Sequence, residues 1–234
     1  IGVGEAMNLV PFGIAYDKPL ARTLEAVQII RRLFTEDFVD FDGKYYKLQK
    51  AFIQPKPAVP ISETRYKSTV PLFIAASSPK TMEMVALYGD GWLPANLQPE
   101  EYRENLEKIR ETAKKHGRNP YEIEPAHFVY AVVARDAETA KKSIMLPAKM
   151  LLLTRPRILE RIGYTPPTED FEMTFKLVFP RDAEAWLAKA KELPDEVVEK
   201  APFIYGAPDD VIDKLDKHVK AGCRHFVINF QVSP

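Results

Sequence analysis

Hydrophobic residues follow two patterns along this chain: short continuous runs, and positions three or four residues apart. The continuous runs predict a strand at 70–76 that is buried on both faces, and further strands at 128–134 and 225–230. The helically spaced positions predict amphipathic helices between these strands. Such an alternation is typical of an α/β fold with a parallel sheet and helical crossovers.

Two local signals predict a helix and a hairpin near the start of the chain. Asp17 as N-cap and Pro19 in the first turn predict a helix. Residues 38–41 and 44–48 flank Asp42-Gly43, and this arrangement is a signature of a β-hairpin.

The segment before the last strand is too long for an ordinary crossover. Residues 135–205 carry helical patterns, with breaks expected at Pro147, Pro156, Pro166, Pro167, Pro180, Pro194 and Pro202. We expect this segment to be a helical insertion that shapes or covers the substrate pocket. We expect residues 1–234 as a whole to form a single domain.

The chain opens on Ile1-Gly2-Val3-Gly4-Glu5-Ala6-Met7-Asn8, where the end of a strand turns through two glycines into the start of a helix. Glycine allows both the bend and a close approach by a ligand. The turn places Glu5 and Asn8 at the carboxyl end of a strand, where βα folds carry their chemistry. A carboxyl group buried against a bound ring can donate a proton near neutral pH. The alternative is a purely structural turn, because two glycines alone are a weak signal.

Ser77-Ser78-Pro79 follows the apolar strand at 70–76. Free backbone N–H groups, two hydroxyls and a helix N-terminus together favour a phosphate group. The alternative is an ordinary N-cap at Ser78, with Pro79 in the first position of a helix that runs to Tyr88. If both turns bind a ligand, one ligand spans Glu5 and this second turn.

The remaining candidate residues favour structural roles. Trp92 is predicted to pack in the core rather than to line a pocket. A solvated helix face is favoured over an anion site for Arg155, Arg157 and Arg161. The histidines have no metal-binding spacing, so no metal is expected; they are His116, His127, His218 and His225.

Composition excludes several classes of protein. Hydrophobic residues make up 46% of the 234, enough for a large core. Lys and Arg together number 33, as do Asp and Glu, so the balanced charge argues against a nucleic-acid partner. No apolar run approaches the about 20 residues that span a membrane. The lone Cys223 is typical of a reducing, cytoplasmic compartment.

Five motifs resemble one family. They are Gly4-Glu5-Ala6-Met7-Asn8, the hairpin at 41–46, the turn at 74–79, Gly89-Asp90-Gly91-Trp92, and the segment 206–211. The chain is similar to luciferase-like oxidoreductases, and within them to the branch that uses the deazaflavin coenzyme F420. The resemblance implies a (β/α)8 TIM barrel and a homodimer that acts on a small-molecule substrate. It also implies that the amino-terminal strands, with a catalytic histidine, lie before Ile1.

The resemblance implies roles for matching positions. Glu5 corresponds to the acid that protonates the deazaflavin ring nitrogen during hydride transfer. Gly4 and Asn8 correspond to residues beside the cofactor ring, and Ala76, Ser77 and Ser78 to the turn that holds the cofactor phosphate. Family members often have glycines at the two serine positions and a second acid where this chain has Leu9.

These roles predict an oxidoreductase that transfers a hydride between F420 and a small organic substrate. An alcohol, a sugar phosphate and a methylene-tetrahydropterin all remain open as substrates. One alternative is a luciferase-like monooxygenase that uses flavin mononucleotide (FMN), which the Gly4–Asn8 turn disfavours. The other is a cofactor-binding relative or truncated product without catalysis.

Overall fold

The computed structural model describes residues 1–56, 70–165 and 183–230. The chain divides into two compact units. The first unit contains residues 1–4, 17–95 and 103–127, and the second contains residues 5–16, 96–102 and 128–234. The single domain over 1–234 therefore stays a prediction.

The described residues form both helices and strands. The helices are α1 (Ala6–Leu9), α2 (Pro19–Thr35), α3 (Pro79–Tyr88), α4 (Pro99–Lys115), α5 (Ala137–Leu153), α6 (Pro156–Arg161), α7 (Ala183–Glu192), α8 (Asp195–Lys200) and α9 (Pro208–Lys220). The strands are β1 (Val39–Asp42), β2 (Lys47–Ala51), β3 (Phe73–Ile74), β4 (Gly91–Trp92), β5 (Glu124–Val133), β6 (Ile204–Gly206) and β7 (His225–Phe230). The predicted strands at 128–134 and 225–230 are confirmed as β5 and β7.

Parallel pairing links β3, β4 and the start of β5 in the first unit. In β3, Phe73 pairs with Gly91 of β4, and Gly91 pairs in turn with Glu124 of β5. Ile1 is bonded alongside β3, because its ammonium group donates to the Phe73 carbonyl at 2.6 Å and its carbonyl accepts from the Ala75 N–H at 2.8 Å. The parallel sheet is therefore confirmed, whereas residues 1–4 are not assigned to a strand and the predicted strand end there stays a prediction.

The strand predicted at 70–76 is shorter and less buried than expected. Ile74 is fully buried, whereas Phe73 is half-buried and Ala75 is exposed. Burial alternates because successive side chains of a strand point to opposite faces. The Phe73 ring covers Gly91, where a Cβ atom would lie 2.3 Å from the ring. The prediction of burial on both faces was wrong.

The predicted hairpin forms, but its connection is longer than Asp42-Gly43. In its register Asp42 pairs with Lys47, so residues 43–46 form the loop. The Glu25 carboxylate stabilises this loop by accepting hydrogen bonds from three consecutive backbone N–H groups, at 2.9, 2.9 and 3.0 Å. A distant side chain therefore sets the turn, and no local pattern in the hairpin reveals it.

Helix α2 begins at Pro19 as predicted, but Asp17 does not cap it. The N-cap is Lys18, which has a left-handed φ of 48° and makes no capping hydrogen bond with its side chain. The Asp17 carboxylate instead accepts two hydrogen bonds from the Arg22 guanidinium, at 3.0 and 3.1 Å. The bidentate ion pair has taken the place of the predicted cap.

The second unit contains a strand that the sequence did not predict. Ala131, Val132 and Val133 of β5 pair in parallel with Ile204, Tyr205 and Gly206 of β6. Strand β7 also pairs with β5. Because β6 has only three residues, its apolar pattern is too short to separate from the helices around it. The segment 135–205 is therefore not helical throughout.

Helix α5 continues through Pro147, where a break was predicted. Proline removes one backbone hydrogen bond from a helix interior. Ile144, Ala148 and Leu152 lie on one face of α5 and are almost fully buried in the core of this unit. Burial of this face outweighs the local cost of the proline. The expected breaks at Pro166, Pro167 and Pro180 lie outside the described residues.

Candidate functional site

The opening turn has the geometry that its glycines predicted. Gly4 has a φ of 74°, a left-handed conformation that residues with a side chain rarely adopt. Helix α1 begins at Ala6, directly after Glu5. The Asn8 N–H donates to the Glu5 carbonyl at 3.0 Å, which closes the first turn. Glu5 and Asn8 are thereby placed on the same side of this turn.

Both oxygens of the Glu5 carboxylate have partners. Oε1 lies 2.6 Å from the Arg155 guanidinium, and Oε2 accepts a hydrogen bond from the Asn8 side-chain amide at 3.1 Å. The Glu5 side chain keeps 40% of its exposure and that of Arg155 keeps 32%. The Asn8 side chain therefore orients Glu5 in this structure, whereas its predicted contact with a ligand stays a prediction.

Arg155 is a partner of Glu5 that the sequence did not predict. It lies at the start of α6, where a solvated helix face was favoured. Its Nη1 also donates to the Thr154 carbonyl at 3.1 Å. Of the other two arginines, Arg161 pairs with Glu101, whereas Arg157 is exposed. No local pattern connects Arg155 with Glu5, because they are far apart in the sequence.

The Glu5–Arg155 pair lies on the wall of a cavity of about 400 Å³ within the second unit. Helix α5 contributes a mostly apolar wall, and Trp186 of α7 and Phe203 contribute aromatic rings. The other described lining residues are Tyr130, Ile144, Pro147, Ala148, Met150, Leu151 and Thr154. A mostly apolar cavity with a few convergent polar groups is typical of a site for a small organic molecule.

Tyr130 of β5 adds a phenol to this wall. Its ring packs edge to face against Phe128, with the ring centroids 5.2 Å apart. Burial raises the pKa of Tyr130 and the Glu5 charge raises it further, whereas the Arg155 charge acts in the opposite direction. The phenol is therefore protonated at neutral pH and available as a hydrogen-bond donor.

In the first unit, Ser78 is the N-cap of the ten-residue helix α3. Its hydroxyl accepts from the Thr81 N–H at 3.4 Å, and the Ser78 N–H donates to the Thr81 hydroxyl at 3.0 Å. The predicted capping role of Ser78 and the helix end at Tyr88 are confirmed. Ser77 is exposed in the same turn, so its hydroxyl is open to solvent. The phosphate site predicted here stays a prediction.

A hydrogen bond between Trp92 and Ala76 stabilises the backbone just before this turn. The Trp92 side chain is fully buried, and its indole N–H donates to the Ala76 carbonyl at 2.9 Å. The prediction that Trp92 packs in the core is confirmed. Because Ser77 belongs to the first unit and Glu5 to the second, a single ligand that spans both turns stays a prediction.

The family model for luciferase-like monooxygenases matches residues 1–225. The chain belongs to this family. The prediction from its motifs is therefore confirmed at the level of the family.

Two curated relatives of this luciferase-like protein match nearly all of it. It is 27% identical to 5,10-methylenetetrahydromethanopterin reductase of Archaeoglobus fulgidus, over 100% of this chain and 67% of the relative. It is 29% identical to F420-dependent glucose-6-phosphate dehydrogenase of Mycolicibacterium fortuitum, over 98% of this chain and 62% of the relative. The chain thus spans about two thirds of their length or slightly less.

A solved structure confirms the fold class. The structure of an F420-dependent secondary alcohol dehydrogenase in complex with an F420-acetone adduct superposes with a TM-score of 0.75 at 23% identity, over 98% of this chain and 62% of that one. The prediction of an α/β fold with a parallel sheet of the luciferase-like barrel class is confirmed.

The described ranges contain neither a candidate metal cluster nor a membrane-spanning helix. Within 1–56, 70–165 and 183–230, no three or more His, Cys, Asp or Glu residues are grouped to hold a metal ion. Among the helices of these same ranges, none is long and apolar enough to cross a membrane.

Proposed function

We propose that this luciferase-like protein is an F420-dependent oxidoreductase that transfers a hydride between F420 and a small organic substrate. The observation that carries the proposal is the position of Glu5. Its carboxylate follows the left-handed Gly4, pairs with Arg155 and lines an apolar cavity of about 400 Å³. Two of the relatives described above, the glucose-6-phosphate dehydrogenase and the secondary alcohol dehydrogenase, are F420-dependent, which supports the same cofactor.

The residues present fit the chemistry of a deazaflavin cofactor. When bound, F420 supplies a ring carbon that accepts or donates a hydride. Glu5 supplies a carboxyl group that takes up or releases the accompanying proton at a ring nitrogen. Asn8 and Arg155 hold the two carboxylate oxygens in place, and Gly4 has no side chain to obstruct the ring.

The serine turn of the first unit fits a phosphate group. Helix α3 has ten residues, and its N-terminus carries a partial positive charge. The Ser78 hydroxyl is engaged in the helix cap, so we assign the direct side-chain contact to Ser77 and the backbone contacts to Ala76, Ser77 and Ser78.

A cytoplasmic homodimer belongs to the same proposal, and analytical ultracentrifugation tests the dimer.

The proposal is tested by titrating the protein with F420 and, separately, with FMN, and by following the fluorescence of each cofactor. We expect saturable binding of F420 at lower concentrations than FMN. Tight binding of FMN alone would overturn the proposal, and binding of neither cofactor would favour a non-catalytic relative. Ser77→Ala is expected to weaken F420 binding more than it weakens binding of a deazaflavin that lacks the phosphate.

A further inference from the structure

The charges of the cavity compensate one another. Of the described residues that line it, Glu5 and Arg155 are the charged ones, and they are paired with each other at 2.6 Å. The guanidinium therefore already has a carboxylate partner. An anionic substrate would bring a second negative charge beside Glu5, and like charges this close repel one another. The wall thus favours a substrate without net charge.

Most other polar side chains of the wall are bound to the backbone. The Trp186 indole N–H donates to the Met150 carbonyl at 3.1 Å. The Thr154 hydroxyl donates to the Leu151 carbonyl at 2.8 Å and accepts from Arg155. The polar atoms of both side chains are thus engaged within the protein. These side chains therefore extend the apolar wall rather than offer hydrogen bonds to a ligand.

Tyr130 is the exception on this wall. Among the residues that the structure describes, none hydrogen-bonds its hydroxyl. The side chain is half-buried and faces a cavity that Glu5 and Arg155 also line. A protonated phenol at the edge of an apolar site is a directional donor for an oxygen atom of a ligand.

We propose that this cavity binds an uncharged, mostly apolar alcohol or ketone, and that the Tyr130 hydroxyl hydrogen-bonds its oxygen. The reaction of this substrate rests on the proposed function, whereas its binding depends on the cavity alone. Tyr130 becomes the residue that sets the position of the oxygen. The wall of α5, Trp186 and Phe203 holds the hydrocarbon part. The described wall disfavours a hexose phosphate, because its phosphate would find no uncompensated cation among the described lining residues.

The test uses three eight-carbon probes of matched length, methyl hexyl ketone, octane and octanoate, and a hexose phosphate as a fourth, anionic probe. Binding is measured by isothermal titration calorimetry and by quenching of the fluorescence of Trp186, with Trp186→Phe to identify the signal from this cavity. We expect the ketone to bind about tenfold or more tightly than octanoate, because a buried unpaired carboxylate is costly. Octanoate or a hexose phosphate that binds as tightly as the ketone would overturn the assignment of an uncharged substrate.

Two variants separate the roles of Tyr130 and of the ion pair. Tyr130→Phe is expected to weaken binding of the ketone about three- to tenfold, because it removes one hydrogen bond. Binding of octane is expected to stay unchanged. Equal effects on ketone and octane, or no effect on either, contradict the role of Tyr130. Glu5→Gln leaves the Arg155 charge without a carboxylate partner, so we expect this variant to bind octanoate more tightly than the ketone. If the variant still prefers the ketone as wild type does, the two charges do not compensate one another in the way proposed.

This outcome is distinguishable from a failure of the proposed function. Ketone binding in the absence of cofactor tests the cavity, and the titration with F420 tests the cofactor. If the ketone quenches the fluorescence of Trp186→Phe as strongly as that of wild type, the ketone binds outside this cavity. That result overturns the inference, even where F420 binds. Ketone binding in this cavity without F420 binding overturns the proposed function and leaves the inference standing.

Discussion

The Glu5 carboxylate and the Arg155 guanidinium lie 2.6 Å apart on the wall of an apolar cavity. The pair joins the helix start that follows the glycine turn to the beginning of α6. Both side chains keep part of their exposure, so solvent screens the pair and its direct contribution to stability is small, about 1 kcal/mol or less. We therefore assign the pair to positioning of Glu5 rather than to holding the fold.

Arg155→Gln is expected to slow hydride transfer with little loss of stability. Without the guanidinium the Glu5 carboxylate loses one of its two partners, and a catalytic group displaced by about 1 Å can cost about 100-fold in rate. The rate of F420 reduction in a single turnover is the measurement. Arg157→Gln is the matched control, because Arg157 is exposed beside it. Equal rates for the two variants contradict the positioning role.

Ser78→Ala is expected to destabilise the first unit by about 1 kcal/mol, because it removes the capping hydrogen bonds at the start of α3. Thermal and urea unfolding measure this loss. Ser77→Ala is the control, and we expect it to change the free energy of unfolding by less than about 0.5 kcal/mol because Ser77 is exposed. A larger loss from Ser77→Ala than from Ser78→Ala refutes the assignment of the cap.

Asp90→Asn is expected to destabilise the first unit more strongly. The Asp90 carboxylate is almost fully buried, lies 2.8 Å from the Arg31 guanidinium and accepts the Leu72 N–H at 2.8 Å. Removing one charge of a buried pair costs about 3–5 kcal/mol, and we expect about 2 kcal/mol here because Arg31 remains 27% exposed. Asp42→Asn, in the exposed pair with Lys47, is the control and should change the free energy of unfolding very little.

Glu25 makes the hairpin sensitive to acid. Burial acts to raise its pKa, but hydrogen bonds from Tyr45, Tyr46 and Lys44 outweigh this and leave the pKa below 4.5, its ordinary value. A carboxyl group whose pKa is lower in the folded state than in the unfolded state stabilises the fold at a pH above its unfolded-state pKa. This stabilisation is lost as the pH falls through the folded-state pKa. Glu25→Gln should therefore lose stability at neutral pH and show a weaker dependence on pH below about 4.5. Parallel curves of unfolding free energy against pH for the two proteins contradict this.

The sequence predicts local structure well where neighbouring residues decide it. Ser78 as a cap and Pro19 at a helix start depend on backbone groups within a few residues, and the structure confirms both. Prediction fails where a competing side-chain pair or tertiary packing overrides the local pattern. Asp17 binds Arg22 instead of capping α2, and packing of α5 overrides the local cost of Pro147.

The same distinction holds for the site. Glu5 and Asn8 are predictable because they lie three positions apart in the sequence and directly follow the turn at Gly4. Arg155 and Tyr130 are not, because the fold alone brings distant parts of the chain to one cavity. In the sequence alone, Arg155 is one of several arginines in a predicted helical segment, and Tyr130 is one aromatic residue in a predicted strand.

The central claim is that Glu5 serves hydride transfer to F420, and a single-turnover measurement tests it most directly. The protein with bound F420 is mixed with a secondary alcohol such as the reduced form of methyl hexyl ketone, and the loss of F420 fluorescence is followed in time. We predict that wild type reduces F420, and that Glu5→Gln binds F420 with similar affinity but reduces it about 100-fold more slowly, as expected for loss of a general acid. Equal rates of F420 reduction in wild type and Glu5→Gln would contradict the account.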